Sequence, residues 1–78
     1  MHVGYVLLNC DLGAEEYVVD ELRQIPQVKK AYLTFGAYDA IAEIHATTQE
    51  EFDKTVSSKI RRLARVVSTM TLNVVNPE

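Results

Sequence analysis

The chain has one cysteine, no tryptophan, two prolines, three glycines and two histidines among its 78 residues. A single Cys10 excludes an internal disulfide and a cysteine-based zinc cluster within one chain. His2 and His45 lack ligand spacing, so no metal site is read from them. Without a neighbouring base in sequence, Cys10 reads as a small buried hydrophobe at a strand end. No apolar run approaches the ~20 residues that cross a bilayer. The N-terminus shows no basic region followed by a hydrophobic run and a small-residue cleavage site, which makes a cytoplasmic location the expectation. Positive charge is also scarce, with eight basic against eleven acidic side chains and a net charge of −3. Phosphate backbones select positive surfaces, so direct binding to nucleic acid is not expected. The segment Thr34–Asp39 (TFGAYD) holds one glycine and no following helix, unlike a phosphate loop.

What is present describes one domain over residues 1–78, 47% hydrophobic and 24% charged. Scaling by mass gives a folded surface of roughly 4,800 Å² against about 12,800 Å² unfolded, a burial that supports only a marginal core. Such a chain often needs a staple or a partner.

His2 to Cys10 (HVGYVLLNC) is apolar, bounded by Asp11-Leu12-Gly13, and reads as a buried strand. Ala14, Val18, Leu22 and Ile25 then recur at helical spacing, with Gly13 or Asp11 opening the helix and Pro26 stopping it. Val28 to Phe35 returns to strand character. After the Gly36-Ala37 break, Tyr38 to Ala46 forms another strand, and the two make a hairpin. Thr48-Gln49-Glu50-Glu51 has the form of a capping box. It starts a second helix with Phe52, Val56 and Ile60 on one face. Val66 to Val75 is the last strand, and Pro77 closes the chain. Glu15-Glu16-Tyr17 and Glu50-Glu51-Phe52 occupy matching helix positions, an internal echo of two β-α-β halves. The expected class is α+β: a ferredoxin-like β-α-β-β-α-β sandwich with a four-stranded antiparallel sheet whose first and third strands are central.

In such a fold the helices cover one sheet face, and the other should read polar. The first strand does not obey this. Val3, Tyr5 and Leu7 point one way, while Val6, Leu8 and Cys10 point the other. Left uncovered, the second face is an apolar patch, and a second copy packed sheet on sheet about a two-fold axis covers it. A dimer through Val3, Tyr5 and Leu7 is therefore expected.

The chemistry-bearing residues are few. Lys59, Arg61, Arg62 and Arg65 form the one basic cluster, read first as a solvated helix end. Tyr5 and Tyr32 sit on strands, but the glycine-aromatic motif of RNA-recognition sheets is absent. Asp39 begins a strand, where aspartate is a poor choice. It is either a turn former bonding local amides or a charge partner beside exposed backbone N–H groups. Thr69 and Thr71 share a strand face and either satisfy β propensity or hydrogen-bond a small polar ligand.

These residues also carry a likeness. Tyr32, followed by Thr34-Phe35-Gly36-Ala37-Tyr38-Asp39 and Ala42, resembles the hairpin signature of the Lrp/AsnC ligand-binding domain, also called the RAM domain. The helix end Lys59 to Leu63, leading to Ser68, Thr69 and Thr71, resembles it as well. The likeness covers about residues 3 to 75. A departure is Ala64-Arg65, where the family often has Pro-Gly at a turn. The first strand begins at His2, so the chain resembles the stand-alone form without a helix-turn-helix domain. The resemblance implies a homodimer, assembled further into a ring of four dimers, with an amino-acid effector bound between dimers near the hairpin tip. It implies that amides around Gly36 and Ala37 take the effector carboxylate. Tyr38 and Asp39 then shape the pocket and hold the ammonium group, while Thr34, Thr69 and Thr71 add hydroxyl bonds. No catalytic residue, metal or cofactor is implied, and full-length Lrp/AsnC-type regulators enter as partners.

Three functions follow: a non-catalytic effector sensor modulating transcription regulation, a small dimeric monooxygenase-like enzyme with His45 as its sole pocket candidate, or an oligomerisation module without a ligand.

Overall fold

The computed structural model describes residues 1–75. Strand β1 (His2–Cys10) leads through a turn into helix α1 (Glu15–Arg23), then to β2 (Val28–Leu33), β3 (Ala40–Ala46), α2 (Gln49–Thr55) and β4 (Val66–Asn73). Helix α2 continues into a π-helical turn over Val56–Ile60, which ends where the Arg61 N–H donates to the Val56 carbonyl at 2.9 Å. The sheet runs β2-β3-β1-β4 with antiparallel pairing throughout, so β1 and β3 are central as expected.

Strand alternation divides β1. Val6, Leu8 and Cys10 are buried against the helices, joined by Ala40, Ala42, Ile44 and Ala46 of β3. From the other side, Val18 and Leu22 of α1 and Phe52, Val56 and Ile60 of α2 and its π turn complete one core. Gly4 belongs to this face, and a Cβ there would stand 2.6 Å from Phe52 Cε2 and 2.8 Å from the Leu72 carbonyl oxygen. Phe52 therefore lies directly on the β1 backbone, which only glycine allows. The one buried polar side chain among the described residues is Thr55, whose hydroxyl donates to the Glu51 carbonyl at 2.8 Å.

Helix entry differs between the two helices. Thr48 caps α2 as expected, its hydroxyl accepting the Glu51 N–H at 3.0 Å. The Glu51 carboxylate reaches back one residue further than in a standard capping box, to the Thr47 N–H at 2.7 Å and the Thr47 hydroxyl at 2.8 Å. Helix α1 has Ala14 at its cap position and no side-chain cap. Asp11 contributes only its carbonyl, which accepts the Ala14 N–H at 2.9 Å, and Gly13 turns the chain at φ +88°. Neither residue is the cap that the sequence suggested, because the Asp11 carboxylate is drawn to Arg65 instead.

The hairpin strands are shorter than predicted. Pairing ends at Leu33 and resumes at Ala40, leaving Thr34–Asp39 as a six-residue connection rather than strand ends around a two-residue break. Strand β4 ends at Asn73, although the Val74 N–H still donates to the Val3 carbonyl at 2.9 Å. Pro77 lies outside the described residues. The Ala64-Arg65 turn puts Arg65 at φ +77°, the backbone region that favours glycine.

The outer strands differ at their free edges. Bonded and non-bonded pairs alternate in an antiparallel ladder. The Thr34 N–H bond to the Asp39 carbonyl fixes that alternation and turns the Ala31 carbonyl outward. Arg23 of α1 covers it, donating from Nη2 at 2.8 Å and Nε at 3.3 Å. On β4, the Val74–Val3 bond sets the alternation so that Thr69 and Thr71 turn their N–H and C=O groups to the free edge.

Candidate functional site

The predicted effector residues fall on two elements. Thr34, Gly36, Ala37, Tyr38 and Asp39 lie in the β2–β3 connection, and Thr69 and Thr71 lie on β4. The connection is held from within and from below. The Thr34 hydroxyl donates to the Tyr38 carbonyl at 2.7 Å, and the Thr34 N–H donates to the Asp39 carbonyl at 3.0 Å. The Asp39 N–H donates to the Leu8 carbonyl at 2.9 Å, while its carboxylate accepts the Cys10 N–H at 3.0 Å. The Asp39 carboxylate thus bonds a strand 29 residues away, while its carbonyl closes its own turn. Burial pushes the Cys10 thiol above its ordinary pKa, with the carboxylates of Asp39, Glu15 and Asp11 adding to the effect.

Between these anchors, Phe35, Gly36 and Ala37 are exposed, with Gly36 at φ +134°. Tyr38 leans across the sheet, its hydroxyl 3.3 Å from the Met70 sulfur of β4. The hairpin tip and β4 therefore meet, but not through the threonines. Met70 shares the open face with Leu7, whereas Thr69 and Thr71 register with Leu8 and Val6 on the helix-side face. Thr69 lines a different groove, of about 340 Å³, with Arg61, Val66, Val67 and Ser68. One chain brings the hairpin residues together and leaves the two threonines on the opposite face.

The open face itself is assembled in rows. Lys30, Glu43, Tyr5 and Leu72 form one row across the sheet, and Tyr32, Ile41, Leu7 and Met70 the next. Val3, Tyr5 and Leu7 are only partly buried there. At the edges Tyr32, Met70 and Leu72 stand about half exposed, at 52%, 49% and 50%. Among them lies one hydrogen-bonded polar pair, His45 Nε2 at 2.6 Å from the Glu43 carboxylate. His45, the pocket candidate of the enzymatic reading, is thus held on the open face by its strand neighbour Glu43. Among the described residues, no group of three or more His, Cys, Asp or Glu side chains is placed to hold a metal ion.

Sequence reasoning missed two participants. Met70 reads from sequence only as a spacer between threonines, yet it receives Tyr38. Arg61 reads only as part of a basic helix end, yet it faces the hydroxyl-bearing strand.

Comparison with known proteins gives these features a setting. The fold of the crystal structure of FFRP-DM1 matches with a TM-score of 0.92 and 29% identity, over 96% of this chain and 100% of that one. TTHA0845 from Thermus thermophilus matches with a TM-score of 0.93 and 27% identity, over 100% and 98%. The transcriptional regulator NMB0573 from Neisseria meningitidis, in its L-Met complex, shares the fold at a TM-score of 0.86 and 15% identity. That match covers 97% of this chain but 51% of the regulator, so the chain corresponds to about half of that protein. No curated protein sequence matches, and no helix of the described residues is long and apolar enough to cross a membrane. The sequence model of the Lrp/AsnC ligand binding domain matches residues 4–77, nearly the whole chain, and the protein belongs to that family.

Proposed function

We propose that the chain is a non-catalytic amino-acid effector-binding and oligomerisation module that acts in transcription regulation through ligand-linked assembly or contact with full-length regulators of its family. The observation that carries this reading is the exposed Gly36–Ala37 backbone, held out from the sheet by the Thr34, Tyr38 and Asp39 bonds. Free amides at such a tip suit a carboxylate, and a neighbouring carboxylate or hydroxyl suits an ammonium group. The L-Met bound by the Neisseria regulator supports the amino-acid class.

Assembly is part of the same reading. The tip residues and the β4 threonines occupy opposite faces of one chain, so a pocket using both takes them from different copies. The uncharged row Tyr32, Ile41, Leu7 and Met70, with Tyr5 and Leu72 beside it, suits a dimer through Val3, Tyr5 and Leu7, and the tips then join dimers into a ring of four. A ligand bridging two dimers stabilises the larger assembly by mass action.

A thermal-shift screen of the twenty amino acids, paired with mass by light scattering, tests the proposal. A ligand at 100 times its Kd adds about 2.7 kcal/mol, which for a domain this small raises Tm by on the order of 10 °C. Dimer or larger mass with one responsive amino acid is the expected result. A flat response at constant mass leaves an oligomerisation module without ligand. Turnover of an added substrate, lost in His45→Ala, establishes the enzymatic alternative instead.

A further inference from the structure

We propose that Arg61, with Thr69, forms a seat for the side-chain carboxylate of an acidic amino-acid effector. This rests on the effector reading and deepens it by naming the ligand class. Four basic side chains gather at the end of α2 and the following turn, and two are already engaged. Lys59 donates to the Gln27 side chain at 3.2 Å, and Arg65 pairs with Asp11 at 2.9 Å. Among the described residues, the side chains of Arg61 and Arg62 enter no hydrogen bond or ion pair. Of these two, Arg61 lines the groove beside β4, together with Val66, Val67, Ser68 and Thr69.

The groove holds what an oxyanion needs and nothing that repels it. Arginine offers a planar fork of donors that meets a carboxylate through two parallel bonds. The Thr69 hydroxyl has no partner among the described residues, and the Thr69 N–H is turned to the free edge of the strand, while Ser68, in register with Asn9, lends the groove its backbone. No carboxylate among the described residues lines the groove, in a chain with eleven acidic side chains. Val66 and Val67 supply apolar wall for the methylenes of a short acidic side chain. Thr69 is also one of the proposed effector residues, which ties the groove to the same ligand.

Calorimetry on the intact chain tests this with L-glutamate, L-aspartate, L-glutamine, L-asparagine and inorganic phosphate. One acid should bind at least about tenfold more tightly than its amide, the ratio expected when a charge-assisted hydrogen bond is made. Arg61→Gln should erase that ratio by weakening the acid far more than the amide, with the melting temperature unchanged. Arg61→Lys, keeping charge but losing the fork, should fall between. Equal binding of acid and amide, or equal weakening of both in Arg61→Gln, overturns the proposal and leaves the effector reading standing. So does binding of some other amino acid while neither acid binds. Phosphate binding that depends on Arg61, without binding of either acid, assigns the groove to a phosphate and overturns the carboxylate assignment. If none of the twenty amino acids binds, the effector reading falls as well.

Discussion

Asp11 and Arg65 meet twice at one end of the sheet: the Asp11 N–H donates to the Arg65 carbonyl at 2.8 Å, and Arg65 Nε donates to the Asp11 carboxylate at 2.9 Å. Arg65 does this at φ +77°, where a non-glycine residue costs about 1–2 kcal/mol. Both side chains are about half exposed, so their ion pair contributes at most about 1 kcal/mol. Arg65→Gly relieves the backbone, keeps the backbone hydrogen bond, loses the pair and gains freedom in the unfolded chain. The net change should stay within about 1 kcal/mol of wild type. Arg65→Val keeps the strain, loses the pair and should destabilise by about 1–3 kcal/mol. Urea midpoints of the two variants check the ordering.

Gly4→Ala should destabilise by about 1–3 kcal/mol, since the new methyl meets both the Phe52 ring and the Leu72 carbonyl. Adding Phe52→Leu should recover only part of the loss, because the backbone oxygen of Leu72 cannot move aside with the ring. Full recovery in the double mutant, measured by denaturant unfolding, would show that the ring alone sets the limit.

Asp39 has two roles that mutagenesis separates. Asp39→Asn retains an acceptor for the Cys10 N–H and should leave stability nearly unchanged. Asp39→Ala leaves that amide unpaired and should cost about 1–3 kcal/mol. If the carboxylate also holds an effector ammonium group, Asp39→Asn should lose binding by calorimetry with its melting curve intact. Undiminished binding would assign Asp39 to bracing alone.

The Glu51 carboxyl is held below its ordinary pKa, first by the Thr47 N–H, then by the Thr47 hydroxyl and the Gln27 side chain. A carboxyl lowered on folding stabilises the fold above its unfolded pKa of about 4.3, and this stability is lost as pH falls through the lower folded value. Glu51→Gln should therefore flatten the acid limb of the stability profile below about pH 4.5. An unchanged slope in that window would remove Glu51 from the acid response.

Much of this was legible in the chain. Apolar residues on both sides of β1 announced a central strand with two faces to cover, and Thr48 announced its cap. Pro26 marked the end of α1 to within a few residues. What stayed hidden depended on contacts between distant segments. Asp11 looked like a helix cap, but Arg65, 54 residues later, takes its carboxylate. Asp39 looked like a local turn residue, but its carboxylate goes to Cys10. The hairpin strands looked longer because Phe35 and Tyr38 carry strand propensity, whereas Thr34 and Asp39 close the ladder between them. Of the candidate site, the hairpin half was visible as a glycine-containing turn. The separation of Tyr38 from Thr69 and Thr71 by sheet face was not, because it follows from β4's pairing register.

The Arg23 fork on the Ala31 carbonyl has a consequence for how copies can grow into one another. A foreign strand approaching β2 meets an acceptor already occupied, while one approaching β4 finds unmatched amides and carbonyls. Lateral extension of the sheet is therefore hindered at one position of β2 and at none of β4 among the described residues. Two copies joined β4 to β4 would turn β2 to their outer rims, where the Ala31 carbonyl of each is already taken by Arg23. The helix that packs the core thus also makes β2 the less receptive of the two edges.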